Sequence, residues 1–454
     1  MQKIIVIGGG PAGYPAALQA AALGAQVTLI EKNKLGGVCL NCGCIPSKSL
    51  LDAAHKFALL PTLASWSQDG GAALAAQLFA KKDWSKIQAR QQKATQKLTQ
   101  GIAFLLKKAG VTVITGIASF VDEHTISVQT AQGTQTLQAD GIILGTGSQA
   151  FFPAPFDAIK DQIYDNSTLF NMPTLPKSMA IVGGGVIGCE MADFLSALRV
   201  EVHMIEMQAR LLPLEDETAS RTLTQSFVKR GVKLHVGTSA TAVVQEGENW
   251  VLTLSNGEQI RVEKILAAIG RAVDLTELHL ENIGVNWTRK GVQVNSQTLQ
   301  LKNNVYAAGD VNGLCQLAHA ATRQGEVAAR NLCGQSATYH NEFVPRAIYT
   351  SPEIASVGIT RAQAQAQGVT LQVHKTFFLA NGRAVAQEQT EGYVELLTDT
   401  ADKLVGATLV GANAAELIHI ISIALSAGFT LQQLREVIFA HPTLAEAIAE
   451  AARQ

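Results

Sequence analysis

The chain has 454 residues, which is too long for one ordinary domain and typical of about three. Hydrophobic residues make up 47% of it and charged residues 16%, so the chain can bury a large core. Its formal net charge is -1 and it contains no strongly basic run, which argues against nucleic acid as a partner.

The N-terminal residues, MQKIIVIGGG, have the pattern of a buried strand that runs into a glycine turn. This start leaves no room for a secretory signal peptide, and no later apolar stretch is long enough to cross a bilayer. We therefore expect an intracellular, cytoplasmic protein that does not associate with a membrane.

The opening segment has the pattern of a dinucleotide-binding unit. A β-branched strand at 4–7 is followed by an alanine-rich helix and by a second strand that ends in Glu31. The turn before the helix contains Gly8, Gly10 and Gly13, and this strand–turn–helix context makes a G-x-G-x-x-G motif specific. Gly8 permits the tight turn, Gly10 lets the backbone approach a pyrophosphate, and Gly13 lets helix and strand pack closely. Glu31 is expected to accept hydrogen bonds from a ribose.

A cluster of cysteines follows this unit in the segment GGVCLNCGCIPSK. In an intracellular protein, clustered cysteines are more often catalytic or metal-binding than structural. Helical spacing favours Cys39 and Cys42 as a redox pair, since positions three apart lie on one face. Cys39 and Cys44 need a distorted turn, which Gly43 and Pro46 permit. The spacing leaves the pairing open.

A second copy of the dinucleotide-binding unit begins at MAIVGGG. Gly183, Gly185 and Gly188 repeat the glycine spacing, and Glu206 takes the place of the acidic residue. A carboxylate there suits a free 2′-hydroxyl and repels a 2′-phosphate, which favours NAD over NADP. Arg210 is the nearby cation, and we do not expect it to bind a phosphate.

The two units belong to a longer internal repeat. The segment 49–110 is predicted to be mostly helical and includes a long amphipathic helix. After each unit come short alternating strands and then an apolar strand with a glycine turn, at 141–148 and 264–271. The repeat predicts two related domains, each able to bind an adenine dinucleotide. Two such sites and a thiol cluster suggest an electron relay between a flavin in the first domain and a nicotinamide in the second.

Four segments together resemble the FAD-dependent pyridine nucleotide–disulfide oxidoreductases, and the resemblance covers essentially the whole chain. They are GGVCLNCGCIPSK, NVYAAGD at 304–310, AIYTSPEIASVGIT at 347–360 and AHPTLAEA at 440–447. The resemblance implies an α/β protein with two Rossmann-like dinucleotide-binding domains, for FAD and NAD, each with a β-meander insertion, and a C-terminal α+β dimerisation domain. The implied boundaries are an FAD-binding domain at 1–148, an NAD-binding domain at 149–271, a central domain completing the FAD site at 272–340 and an interface domain at 341–454.

The resemblance also implies roles for residues around the cysteines. Cys39 would exchange with substrate, Cys44 would lie beside the flavin, and Cys42 would be a bystander. Lys48 would stabilise negative charge at flavin N5, paired with Glu190. Further residues expected to bind a cofactor are Thr146, Gly147, Gly270, Asp310 and Ala318.

His441 and Glu446 are the expected acid–base pair. Thiol–disulfide exchange needs a base for the attacking thiol and an acid for the leaving sulfur. Glu446 would hold one imidazole nitrogen of His441, and Pro442 is expected in the first turn of a helix. By the resemblance, the histidine serves the disulfide of the partner subunit, so the protein would act as a homodimer.

The implied activity is oxidation of dihydrolipoamide, carried on lipoyl domains of 2-oxo acid dehydrogenase complexes, with reduction of NAD⁺. One alternative on the same fold is an NADH-dependent reductase of another disulfide or an electrophile. A second is a zinc or scaffold role for the cysteines. No metal is expected, because the cluster lacks a second ligand pair and its nearest histidine is His55.

Overall fold

The computed structural model describes residues 1–68 and 70–454. The first part of the chain is built around a central strand, KIIVI, that is buried at all but its first residue. This run of β-branched residues is typical of a parallel strand covered on both faces. The elements in this part are β1 (Lys3–Ile7), α1 (Gly13–Ala22), β2 (Gln26–Glu31), α2 (Gly37–Cys42), α3 (Cys44–Ala58), α4 (Leu60–Ser65), α5 (Gly71–Ala80), α6 (Trp84–Lys108), β3 (Thr112–Thr115), β4 (Ile117–Asp122), β5 (Thr125–Thr130), β6 (Gly133–Gln138), β7 (Gly141–Leu144) and β8 (Gln149–Ala150).

The second part repeats this order of elements. They are β9 (Ser178–Val182), α7 (Val186–Ala197), β10 (Glu201–Glu206), α8 (Glu217–Lys229), β11 (Lys233–Val236), β12 (Ala240–Glu246), β13 (Asn249–Leu254), β14 (Gln259–Val262), β15 (Lys264–Ala267) and β16 (Arg271–Ala272). The strand order β11–β10–β9–β15 matches β3–β2–β1–β7 in the first part, and both sets are parallel. The predicted internal repeat is confirmed.

The short strands after each unit divide differently from the prediction. β3 and β11 join the parallel sheets, and the strands that follow them form separate antiparallel meanders, β4–β5–β6 and β12–β13–β14. The predicted helical segment is confirmed as α3 to α6. Asp83 caps the long helix α6 by accepting a hydrogen bond from the Lys86 N–H. Among the residues described, no helix is both long and apolar enough to span a bilayer.

The chain then returns to the first sheet. The next elements are β17 (Trp287–Thr288), β18 (Gly291–Val292), β19 (Gln300–Lys302), β20 (Val305–Ala307) and α9 (Ala318–Leu332). β20 pairs in parallel with β7, so β19 and β20 extend the first sheet to six strands. A Cβ added at Gly325 in α9 would lie 2.1 Å from the Ala12 carbonyl oxygen, so α9 packs directly on the entrance to α1.

The C-terminal part is an antiparallel sheet covered by helices. Its elements are β21 (Arg346–Ile348), β22 (Glu353–Gly358), α10 (Arg361–Ala366), β23 (Gln372–Phe377), α11 (Gly382–Ala386), β24 (Tyr393–Thr398), β25 (Leu404–Gly411), α12 (Ala414–Ser426), α13 (Leu431–Arg435) and α14 (Glu446–Ala452). The strand order is β21–β22–β25–β24–β23. Buried residues of β24, β25, α12 and α14 form one apolar core. The fold class is therefore the predicted one, two parallel α/β units followed by an α+β domain.

Candidate active site

The glycine turn before α1 has the geometry of a phosphate-binding loop. Gly8 has a φ of 101°, and a Cβ there would lie 2.3 Å from the Gly145 carbonyl oxygen. A Cβ on Gly13 would lie 1.7 Å from the Gly8 oxygen. At Gly10 the nearest atom to an added Cβ is 3.7 Å away, on Gly37. The outer glycines close the turn, and the middle one leaves room in front of α1 where a pyrophosphate fits.

The turn before α7 repeats this geometry. Gly183 has a φ of 110°, and a Cβ on it would lie 2.2 Å from the Ala268 oxygen. A Cβ on Gly188 would lie 1.9 Å from the Gly183 oxygen, whereas an added Cβ at Gly185 meets nothing within 4 Å. The residues of both turns therefore fit the pyrophosphate of a dinucleotide.

Glu31 and Glu206 occupy equivalent positions in the two units. Each carboxylate accepts a 2.6 Å hydrogen bond from the N–H of the middle residue of its GGG run, Gly9 for Glu31 and Gly184 for Glu206. These bonds hold each carboxylate beside its glycine turn, where a ribose hydroxyl can donate to it.

The Arg210 side chain binds backbone oxygens of the loop that follows it. Its guanidinium donates to the backbone oxygens of Leu212, Pro213 and Glu215 at 2.8 to 2.9 Å. With three hydrogen bonds to its own loop, the Arg210 guanidinium is held away from the role of a 2′-phosphate ligand, and Glu206 is the charged residue that binds the second glycine turn.

The cysteine segment forms two helices joined at one glycine. Cys39 lies in α2, and Cys44 is the first residue of α3. Gly43 connects them in an unusual conformation, φ −146° and ψ −114°, and a Cβ there would come within 2.9 Å of the Val38 oxygen. This close approach brings the Cys39 and Cys44 thiols into a shared hydrogen bond, with both cysteines free.

The two thiols differ in acidity. The hydrogen bond from Cys39 lowers the pKa of Cys44 to about 7, and the Lys48 ammonium adds to that effect. The same hydrogen bond raises the pKa of Cys39 above its usual value, and burial raises it further. Cys44 also lies at the N-terminus of a helix, which favours a thiolate. The reduced pair therefore carries its negative charge on Cys44.

Cys42 has different surroundings from the other two cysteines. It packs against the apolar core beneath α3 and α7, and its charged neighbours are Arg271, Asp165 and Lys34. Burial raises the pKa of its thiol. That Cys42 is a bystander stays a prediction, but the shared hydrogen bond joins Cys39 to Cys44.

Lys48 and Glu190 form a partly buried ion pair between α3 and α7. Lys48 Nζ lies 2.9 Å from both carboxylate oxygens of Glu190, and the Tyr349 N–H donates to the same carboxylate at 3.2 Å. Lys48 Nζ also lies 4.4 Å from the centre of the Tyr349 ring. Burial lowers the pKa of Lys48, but the Glu190 carboxylate outweighs burial and raises it. The lysine stays charged, one helical turn from Cys44.

A polar network joins the turns after β7 and β15. Ser148 donates to the Asp310 carboxylate at 2.5 Å, and Arg271 Nε donates to Ser148 Oγ at 2.7 Å. Gly147 (φ 72°) and Gly270 (φ 131°) shape the two turns, one on each side of the network. Two other residues were predicted to bind a cofactor. Thr146 is exposed beside Gly147, and Ala318 is the first residue of α9.

Two residues of this region were missed by sequence reasoning. Arg271 follows the glycine turn directly, and a cation beside a predicted cofactor turn was the available signal. Tyr349 lies in a segment matched only as the start of the interface domain, and no local pattern predicts its contact with Lys48.

His441 and Glu446 form the predicted pair. His441 Nδ1 lies 3.0 Å from Glu446 Oε1, and the Thr443 N–H donates to Glu446 Oε2 at 2.8 Å. The hydrogen bond from the Thr443 N–H lowers the pKa of Glu446 most, and the hydrogen bond with His441 lowers it further. Pro442 does not lie in the first turn of a helix as predicted, because α14 begins at Glu446. The hydrogen bonds to Glu446 therefore position His441.

The dyad and the thiols are apart within one chain. Among the described residues, no hydrogen bond or ion pair joins His441 or Glu446 to Cys39 or Cys44. The His441 side chain is 78% exposed, so it can face a second chain. Within the same described part of the molecule, no group of three or more His, Cys, Asp or Glu residues could hold a metal ion.

Comparison with known families gives two matches that follow each other along the chain. Residues 2–325 match the pyridine nucleotide-disulphide oxidoreductase model, and residues 344–452 match the dimerisation domain of the same family.

Individual relatives match over nearly the full length. The chain is 37% identical to a dihydrolipoyl dehydrogenase of Bacillus subtilis (strain 168), over 99% of this chain and 97% of the relative. It is 35% identical to a dihydrolipoyl dehydrogenase of Chlamydia muridarum, over 99% and 95%.

Solved structures show the same architecture. LpdA from Mycobacterium tuberculosis superposes with a TM-score of 0.93 at 28% identity, covering 100% of this chain and 99% of that one. The HOCl-induced flavoprotein disulfide reductase RclA from Escherichia coli, as a Cu(II) complex, gives 0.88 at 26% identity, with 100% and 99% coverage. With the family model covering most of the chain and relatives above one third identity, the chain belongs to the pyridine nucleotide-disulphide oxidoreductase family.

Proposed function

We propose that this protein is a dihydrolipoamide dehydrogenase that oxidises dihydrolipoamide to lipoamide and reduces NAD⁺ to NADH. The observation that carries the proposal is the hydrogen-bonded pair of Cys39 and Cys44, set beside a charged lysine in a chain with two dinucleotide turns. The full-length relatives named dihydrolipoyl dehydrogenase support the same activity.

The first half of the reaction is thiol–disulfide exchange at a Cys39–Cys44 disulfide. One substrate sulfur attacks Cys39, the Cys39–Cys44 bond breaks, and Cys44 leaves as a thiolate that its low pKa stabilises. The second substrate sulfur then attacks the mixed disulfide, which releases cyclic lipoamide and leaves Cys39 reduced. His441, held by Glu446, takes the proton from the first attacking thiol, and the proton of the second attacking thiol passes to Cys39 as that sulfur leaves.

The second half returns the two electrons to NAD⁺. FAD bound in the first domain would supply the two-electron redox chemistry that links the reduced dithiol to NAD⁺, with net release of one proton per turnover. The Lys48 ammonium, held in place by Glu190, provides positive charge near Cys44 and would stabilise negative charge that develops on the flavin. The first glycine turn, with Glu31 and the Asp310 network, would hold FAD, and the second turn, with Glu206, would hold NAD.

The proposal assigns one role to each segment of the chain. Residues 1–148 would bind FAD and carry the cysteines, 149–271 would bind NAD, 272–340 would complete the FAD site, and 341–454 would form the dimer. The protein works as a homodimer, with lipoyl domains of a 2-oxo acid dehydrogenase complex as its partner, in the cytoplasm.

The likeness to a flavoprotein disulfide reductase favours one alternative, an NADH-driven reductase of a different disulfide. Two steady-state assays on the purified holoenzyme separate the candidates. Dihydrolipoamide-dependent NADH formation is measured against NADH-dependent reduction of other disulfides, such as oxidised glutathione. We expect the first rate to be much the larger, and a higher rate with another disulfide would reverse the assignment.

A further inference from the structure

Helices α3 and α7 are joined at two places, of which the Lys48–Glu190 pair is the first. At the second, His55 Nε2 lies 2.5 Å from Asp193 Oδ2. The loop before β22 binds both carboxylates, since the Tyr349 N–H donates to Glu190 and the Ser351 N–H donates to Asp193 at 2.9 Å.

Helical spacing places both contacts on one face of each helix. Lys48 and His55 are two turns apart on α3 and lie on one face, and Glu190 and Asp193 are one turn apart on α7. Cys44 lies one turn before Lys48 on the same helix. Two contacts along one face fix both the rotation of α3 about its axis and its height along α7, which a single contact does not.

The second contact is anchored in the interior. The Asp193 side chain is completely buried, and Arg230 NH1 lies 2.6 Å from its other oxygen. Burial raises the pKa of Asp193, but His55 and Arg230 outweigh it and keep the carboxyl ionised. His55 is 37% exposed and also faces Glu353 of β22. The Asp193 carboxylate is thus held rigidly on α7. His55, which is partly exposed, is its partner on the helix that carries Cys44.

We propose that His55 is a positioning residue that, by binding Asp193, holds α3 in the register that keeps Lys48 between Glu190 and Cys44. The inference rests on the proposed function, in which Cys44 is the thiol beside the flavin. Loss of the contact lets α3 turn on the Lys48–Glu190 pair alone. The lysine then stabilises the Cys44 thiolate less well.

The Cys44 thiolate beside oxidised FAD would give a long-wavelength charge-transfer absorbance. The test is a pH titration of that absorbance in the holoenzyme after anaerobic reduction by two electrons. The charged and titratable groups around Cys44 are Cys39, Lys48 and Glu190. We expect His55→Ala to move the midpoint upward by about half a pH unit and to lower kcat about threefold, with the KM for NAD⁺ within about twofold of the wild-type value. His55→Gln keeps an N–H donor for Asp193 and is expected to restore both.

The control is Lys56→Gln, which removes the neighbouring exposed ion pair to Asp52 on the same helix and should change neither value. A wild-type midpoint and kcat in His55→Ala would overturn this inference alone, even if the melting temperature fell. Failure of His55→Gln to restore the midpoint would also overturn it. A wild-type enzyme without the band would overturn the proposed function and this inference together.

Discussion

At the scale of single residues, one contact gives the thiols of Cys39 and Cys44 different acidities. The hydrogen bond from Cys39 lowers the pKa of Cys44 to about 7 and raises that of Cys39. The thiolate of Cys44 is therefore present above that pH and is lost as the pH falls through it. We predict that the charge-transfer absorbance of the two-electron-reduced enzyme follows this titration. The absorbance is measured anaerobically from below to above that pH. A midpoint at about 8.5, the value of an unperturbed thiol, would contradict it.

The third cysteine provides a test of the pairing. Cys42 packs against the apolar core. The hydrogen-bond partner of Cys39 is Cys44 and not Cys42. We predict that Cys42→Ser keeps lipoamide-dependent NADH formation within about twofold of the wild-type rate and keeps the charge-transfer band. Cys44→Ser, as the matched variant, should lose both. If Cys42→Ser lost activity while Cys44→Ser kept it, the pair would be wrong.

At the scale of secondary-structure elements, the junction of α2 and α3 decides which thiols meet. A Cβ on Gly43 would lie 2.9 Å from the Val38 oxygen and 3.3 Å from the Cys39 Cα, so one helix must shift if any side chain is added. We predict that Gly43→Ala weakens the Cys39–Cys44 hydrogen bond and raises the pKa of Cys44. The same absorbance titration should show an upward midpoint, and kcat should fall at least about tenfold.

Gly101→Ala is the matched control for that substitution. Gly101 lies within α6, and an added Cβ there meets nothing within 4 Å. It should leave the midpoint and kcat unchanged and stabilise the helix by up to about 1 kcal/mol. An unchanged midpoint in Gly43→Ala would show that the thiols do not depend on the close approach of the two helices.

These elements also show what can and cannot be predicted from sequence. The glycine turns were predictable because their requirements are local, a positive φ at Gly8 and Gly183 and close packing a few residues on. The cysteine pair was not predictable from spacing, since a regular helix would favour Cys39 with Cys42, and α2 ends there. The His55–Asp193 contact joins residues far apart in sequence, and no local pattern encodes it.

At the scale of the whole molecule, the proposed catalytic groups divide between the two ends of the chain. The thiols lie in the first part, whereas His441 lies in the part matched as a dimerisation domain. Large apolar side chains are exposed on that domain, as expected for a surface that a second subunit covers. They include Phe377, Leu379, Val385, Ile423 and Ile438.

If each active site takes its thiols from one subunit and His441 from the other, two inactive variants should complement each other. Cys44→Ser and His441→Ala homodimers are each expected to be inactive. A mixed dimer of the two contains one site with both the intact thiols and the intact histidine. Random assembly on co-expression should therefore restore about a quarter of the wild-type rate of NADH formation. Isolation of the mixed dimer with two affinity tags should raise this to about half. If thiols and histidine came from the same chain, both sites of the mixed dimer would lack one group, and no activity would return.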